Sequence, residues 1–189
     1  MRTLGPVLGF ALLALVVALF GASSLLPARV EVERHRPIAA ARERIHALVG
    51  DLRRWPDFAP WSERADSSVV FRFEGPSEGA GAVLEWRGER LGDGRITLTA
   101  SDPAKGVWYD LSLAGGRRSW KGAVRYLPGR SPGATDLVWS QAGELGGVIA
   151  RWQGLAVERA LGPALEGSLE RLAGLLEDPT RGGPAPSGD

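Results

Sequence analysis

Hydrophobic and polar positions divide the chain into four stretches. From Thr3 to Ala28 there is no charged residue, and Leu4–Leu26 is almost wholly apolar. About 20 apolar residues suffice for a helix to cross a hydrocarbon core, so residues 1–28 read as a transmembrane anchor. A cleaved signal peptide is the competing reading, with Arg2 as the charged start and Gly21-Ala22-Ser23-Ser24 as the small-residue cluster. The apolar run is longer than the roughly 7–15 residues such signals use. Arg29, Arg34, Arg36, Arg42 and Arg44 favour a cytoplasmic domain by count, but long domains translocate largely regardless of charge. The expectation is a single-pass cell-membrane protein whose domain lies on the extracytoplasmic side.

Arg29–Arg34 alternates apolar and charged residues with period two, as a half-buried strand does, and Pro37 is expected to end it. Ala39–Val49 reads as a short helix with Ile45, Leu48 and Val49 on its apolar edge and Gly50 as C-cap. Asp51–Arg54 starts a second short helix that Pro56 is expected to cut off. Between Ser67 and Ala142 six alternating sets follow one another: Val69/Phe71/Phe73, Ala82/Leu84/Trp86, Ile96/Leu98/Ala100, Val107/Tyr109/Leu111/Leu113, Trp120/Val124/Tyr126 and Thr135/Leu137/Trp139/Gln141. Glycine- and proline-bearing turns separate them, so the pattern predicts an antiparallel meander, seven strands with the first. The last element is a long helix over about Leu145 to Glu177. Its stripe runs Leu145, Ile149, Trp152, Ala156, Leu165, Leu169, Leu172 and Leu176, and Pro163 is expected to kink it. Residues 178–189 read as a disordered tail rich in proline and glycine.

Composition narrows the function classes. With Arg2 set aside, basic and acidic residues are equal at 22 each, a poor basis for nucleic-acid binding. There is no cysteine, which removes disulfides, thiol catalysis and zinc–thiolate sites. His35 and His46 stand 11 residues apart, without metal-ligand spacing. No cofactor and no metal are expected.

Several local motifs occur in a familiar order. They are Val30-Glu31-Val32-Glu33-Arg34, Ile45-His46-Ala47-Leu48-Val49 and, above all, Trp55-Pro56-Asp57-Phe58-Ala59-Pro60-Trp61. Gly79-Ala80-Gly81-Ala82 leads to Trp86, Gly92-Asp93-Gly94 follows, and Thr135-Asp136-Leu137-Val138-Trp139 closes the series. Over roughly Arg29 to Glu177 the chain resembles the SRPBCC or START-like superfamily, most closely its bacterial polyketide cyclase/dehydrase-like branch, whose members often carry an N-terminal anchor. The resemblance implies an α+β helix-grip fold over 29–177: a seven-stranded antiparallel curved sheet wrapped around the long C-terminal helix, with a hydrophobic ligand cavity between them. It implies no single activity, because relatives span carriers, receptors and cyclases.

Aromatics carry the candidate chemistry. Phe58 and Trp61 fall in the loop expected at the cavity mouth. Phe71, Phe73, Trp86, Tyr109, Trp120, Tyr126 and Trp139 fall on strands, Gln141 shares the Trp139 face, and Trp152 lies on the last helix. These eleven residues are the expected ligand-binding set, with indole N–H groups and Gln141 as polar handles. The competing reading for each is ordinary packing against the last helix. The Trp55–Trp61 loop is expected either to gate the cavity, to dip into a bilayer interface, or to plug the space under the short helices. Glu85, Glu89, Asp93 and Asp110 are expected on the solvent side or in turns, and no catalytic set is visible. The functional expectation is a membrane-tethered binder or carrier of a hydrophobic small molecule such as a lipid, isoprenoid or polyketide-like compound. The alternatives are a cyclase, dehydratase or hydrolase acting in the same cavity, or an adaptor whose cavity has closed. The oligomeric state is left open.

Overall fold

The computed structural model describes residues 4–177, so the expected tail at 178–189 lies outside the described residues. The elements are α1 (Leu4–Ser23), β1 (Arg29–Ile38), α2 (Arg42–Val49), a 3-10 turn (Leu52–Arg54), α3 (Trp55–Phe58), β2 (Val70–Glu74), β3 (Val83–Gly88), β4 (Gly92–Asp102), β5 (Gly106–Leu113), β6 (Arg118–Pro128), β7 (Thr135–Glu144) and α4 (Val148–Glu177). The seven strands form one antiparallel sheet in the order β1-β7-β6-β5-β4-β3-β2. With the C-terminal helix this is the expected helix-grip architecture.

Three local expectations need correction. Pro37 does not end β1, which runs to Ile38 opposite Thr135. β1 is an edge strand, so a residue without an N–H costs no ladder bond on the open side. Pro56 does not terminate a helix either. It sits in the first turn of α3, where its missing N–H has no partner to lose. The helix expected from Ala39 starts at Arg42.

The N-terminal helix stops at Ser23, whose Oγ donates to the Phe20 carbonyl at 2.7 Å. Among the described residues no helix is long and apolar enough to cross a membrane, so the anchor expected over Leu4–Leu26 is not shown. The described side chains of α1 begin at Gly9. Phe10, Leu12, Leu13, Leu15, Val16, Val17, Leu19 and Phe20 among them are exposed.

The middle of the inner sheet face is mostly apolar. Leu84, Ile96, Leu98, Val107, Leu111, Val124 and Leu137 are all 3% exposed or less. α4 covers only part of it. The helix lies along β1, where Arg34 Nε meets Glu166 Oε1 at 2.7 Å and Arg36 meets Glu170 at 3.7 Å. Gly162 leaves room for the Arg34 guanidinium to pass beneath the helix. Leu165, Leu169, Leu172 and Leu176 face the core, whereas Trp152 and Ala156 in the same stripe do not. The rest of the inner face is covered by α2 and the Trp55–Trp61 segment, so several elements share the work expected of one helix.

Candidate functional site

The Trp55–Trp61 segment is built to point one way. Asp51 Oδ1 accepts from the Arg53 amide at 2.9 Å and caps the 3-10 turn. The Ala59 amide closes α3 onto the Trp55 carbonyl at 2.7 Å. Trp55, Phe58 and Trp61 then recur every three residues and fall on the inward side of the segment, and all three are buried. Of the three roles open to this loop, the structure shows the plug.

Trp55 is the hub, although it was absent from the expected set. It meets Tyr109 edge-on at 5.1 Å and 89°, Trp139 at 5.7 Å and 72°, and stacks on Trp61 at 6.1 Å and 17°. Its Nε1 donates to the Val49 carbonyl at 2.9 Å. Trp61 stacks in turn on Trp86, at 5.1 Å and 9°. Phe58 reaches Trp139 at 6.1 Å. Such pairs contribute roughly 0.5–1.5 kcal/mol each beyond the area they bury.

A polar node sits inside this aromatic mass. The Tyr109 hydroxyl accepts from Trp139 Nε1 at 2.8 Å and from Gln141 Nε2 at 2.9 Å. Burial pushes the Tyr109 phenol up to about 12, with the two hydrogen bonds opposing that shift, so it stays protonated at any physiological pH. At the other end of the ladder the donors are unmatched. Trp61 Nε1 and Trp86 Nε1 are both buried, and among the described residues neither has an acceptor.

Six of the eleven expected residues are thus brought together: Phe58, Trp61, Trp86, Tyr109, Trp139 and Gln141. Phe71 lies beside them, half-buried opposite Trp86. Phe73 stands at the β2 edge and is 38% exposed. Trp120 lies over Gly143, where a methyl would come within 2.6 Å of its ring. Tyr126 is buried at the α2 end, its hydroxyl 3.1 Å from His46 Nδ1, while His46 Nε2 faces Ser101 Oγ at 3.3 Å. Burial lowers the His46 pKa, with Glu78 and Asp102 partly opposing, and burial raises that of Tyr126. Trp152 is exposed on the first half of α4, away from the cluster. Asp93 and Asp110 are exposed, and Glu85 is ion-paired with Arg95 on the outer face.

Between the sheet and its cover, where an elongated cavity was expected, the described side chains pack into one buried cluster. Three clefts open elsewhere, and none of the three runs between sheet and α4. One of about 460 Å³ lies over the outer face between Arg72, Arg87, Asp93 and Ser112. One of about 480 Å³ lies beside the turn joining β6 and β7. The third, of about 280 Å³, lies between Pro60, Ser62 and Arg64 on the plug side and Pro163 and Arg171 on α4. That third cleft marks the seam between the two covering elements. Arg171 latches the seam: its Nε donates to the Phe58 carbonyl at 3.0 Å and its Nη2 to Ser168 Oγ at 3.0 Å.

Two further polar residues, Asp66 and Thr135, hold the site. Asp66 is buried and accepts from the Arg90 and Leu91 amides at 2.7 and 2.9 Å and from Ser68 Oγ at 2.6 Å. Those bonds hold its pKa well below the usual carboxylate range, Ser68 foremost. Asp66 thereby fixes the hairpin that carries Trp86. Thr135 Oγ1 donates to the Ala40 carbonyl at 2.9 Å and ties β7 to the approach of α2.

Solved structures share this fold at low identity. A protein from Chromobacterium violaceum is 19% identical at TM-score 0.57, covering 78% of this chain and 97% of its own. The XoxI protein from Bacillus cereus is 12% identical at TM-score 0.58, over 79% and 96%. Norcoclaurine synthase from Thalictrum flavum, solved in complex with dopamine and hydroxybenzaldehyde, is 12% identical at TM-score 0.56, over 82% and 91%. No curated protein matches the sequence. The model of the family described as polyketide cyclase / dehydrase and lipid transport matches residues 29–177, and the chain belongs to that family.

Proposed function

We propose that this chain is a membrane-tethered binding or carrier protein for a hydrophobic small molecule that presents at least one acceptor oxygen. The observation that carries the reading is the pair of buried indole donors, Trp61 Nε1 and Trp86 Nε1, with no acceptor among the described residues. An unmatched buried donor costs about 1–3 kcal/mol, and two stacked indoles share the same apolar wall. Carbonyl, hydroxyl or carboxylate oxygens on an otherwise apolar ligand would relieve this cost. The family's description, which includes lipid transport, and the aromatic guests held by norcoclaurine synthase support a ligand of this kind. The ligand enters at the seam between the plug and α4, where Pro60 and Ser62 flank Trp61. The tether is α1, whose exposed apolar side chains seat in lipid.

The test is native mass spectrometry with solvent extraction of the full chain purified from its source membrane. A reproducible co-purifying hydrophobic molecule is expected in the parent. The Trp61→Phe/Trp86→Phe variant should hold several-fold less of it. Its stability should change little, because lost packing and relief of the unmatched donors oppose each other. A folded parent that is empty in every preparation refutes the reading, as does a variant that retains the ligand undiminished.

A further inference from the structure

The apolar stripe of α4 divides at Pro163. On its C-terminal side Leu165, Leu169, Leu172 and Leu176 are at most 6% exposed. On its N-terminal side Trp152, 38% exposed, and Ala156, also exposed, lie one turn apart on the same face. An exposed indole on its own needs no partner, but its place beside the exposed apolar surface of α1 gives it one candidate neighbour.

The neighbourhood of Trp152 indicates which partner. Arg151 Nη1 donates to the Ser23 carbonyl at 3.2 Å, at the last turn of α1. A cation there also complements the negative end of the α1 dipole. The Leu145 amide donates to the Ala28 carbonyl at 2.7 Å. Between those two ties stands Leu25, 88% exposed. On α1 itself, Phe10, Leu12, Leu13, Leu15, Val16, Val17, Leu19 and Phe20 are between 41% and 73% exposed. At 100° per residue they span about 220° of the circumference, and exposed Ala14 and Ala18 occupy the remaining sector. A protein partner covers one side of a helix, whereas hydrocarbon covers all of them.

We propose that Leu25, Trp152 and Ala156 continue the apolar surface of α1, so that the first half of α4 rests in the interface of a lipid bilayer. The proposal rests on the tether reading above and extends it to a second element. Tryptophan suits this position, because its ring is apolar and its N–H can stay wet at the headgroup level. Arg29 pairs with Glu31 at 3.6 Å, Arg159 adjoins Glu158, and Arg151 is engaged with the Ser23 carbonyl. Apolar insertion rather than attraction to anionic headgroups therefore drives the contact, and salt should weaken it little. Pro163, at the seam, lies 11 residues beyond Trp152, about 16 Å along the helix. A ligand leaving the lipid thus has a short path to the plug.

The chain has no cysteine, so single labels report cleanly. Full-length Trp152→Cys, Leu19→Cys and Leu127→Cys variants would carry an environment-sensitive fluorophore. They would be reconstituted into vesicles of phosphatidylethanolamine and phosphatidylglycerol containing a shallow nitroxide-labelled lipid. Leu127 is 39% exposed at the end of β6 and serves as the aqueous control. Labels at 152 and 19 should shift to the blue and be quenched several-fold more than the label at 127. The quenching at 152 should survive raised salt. If 152 behaves like 127 while 19 is quenched, the proposal fails and the tether stands. If 19 also behaves like 127, both fail. Ala156→Cys replaces Trp152→Cys if the latter loses its native circular dichroism, and the same outcomes decide.

Discussion

Gly122→Ala asks whether the interior is as full as its side chains indicate. Gly122 on β6 pairs with Tyr109 on β5, and a methyl built on it would fall inside the contact radius of Tyr109 Cζ and Oη. Tyr109 is 1% exposed, pinned by Trp139 Nε1 and Gln141 Nε2 and abutted by Trp55. Overpacking of this kind costs about 1–3 kcal/mol. Displacing the phenol sacrifices two buried hydrogen bonds worth about 1 kcal/mol each. Replacing a strand glycine by alanine returns roughly 0.5–1 kcal/mol. The net expectation is a loss of about 2–4 kcal/mol, read as a drop in urea midpoint at constant m-value for the full chain in detergent. Gly92→Ala is the control. It has nothing within 4 Å and a φ of +64°, so it should lose only the backbone strain of about 1–2 kcal/mol. A loss below about 1 kcal/mol for Gly122→Ala would mean that the Tyr109 ring swings freely aside. The inner face would then enclose open space, and the filled interior argued above would be wrong.

Three other substitutions test the polar fastenings. His46 has its pKa lowered from 6.5 by burial, so the unfolded chain takes up the proton first. Stability from this group is full above pH 6.5 and falls as pH drops through that value toward the folded pKa. His46→Gln should flatten that part of a stability–pH curve, and an unchanged slope would refute the assignment. Arg171→Met should cost about 1–2 kcal/mol, because the Phe58 carbonyl loses a charged but partly solvated donor. A urea midpoint equal to the parent's would show that the latch does not hold. Asp66→Asn should speed amide exchange at Arg90 and Leu91, while exchange on β6 and β7 stays slow. Uniformly unchanged exchange would remove Asp66 from its role.

The strands were legible because their signal is local: two-residue alternation between glycine turns survives any tertiary context. Helix α4 shows the limit of the same method. Its apolar stripe repeats alike on both sides of Pro163, but burial of each half depends on where β1 and the plug leave sheet to cover. The plug was legible as a motif and ambiguous as a structure. Trp-Pro and Pro-Trp announce stiffness, while only the pairing of Trp55 with Tyr109 and Trp139, far along the chain, sets its direction inward. The Trp55–Phe58–Trp61 spacing of three was the available signal that Trp55 belongs with the other two. Asp66 and the His46–Tyr126 contact were harder to read: beyond its turn with Ser68, Asp66 meets Arg90 24 residues on, Tyr126 lies 80 residues from His46, and a lone carboxylate or imidazole has no period.

The two ends of the aromatic ladder differ in a way that bears on how a full interior binds anything. At the Tyr109 end the Trp139 and Gln141 N–H donors both meet an acceptor, the phenol oxygen, and Gly122 lets the phenol sit hard against the sheet. At the Trp61–Trp86 end two donors are unmatched. Trp86 lies over Gly94 in the same way that Tyr109 lies over Gly122, so packing is close at both ends and only the hydrogen bonding differs. Opening the satisfied end breaks bonds that a ligand would have to remake, whereas opening the unsatisfied end breaks none of that kind. Of the two unmatched indoles, Trp61 adjoins the seam residues Pro60 and Ser62, which Arg171 fastens, while Trp86 borders the outer-face cleft. If the chain binds the ligand proposed above, entry would begin with Trp61 rather than with Tyr109. Arg171→Met, which loosens the seam and leaves the Tyr109 node alone, should speed ligand exchange while Gln141→Leu does not. The reverse order would move the entrance to the other end of the sheet.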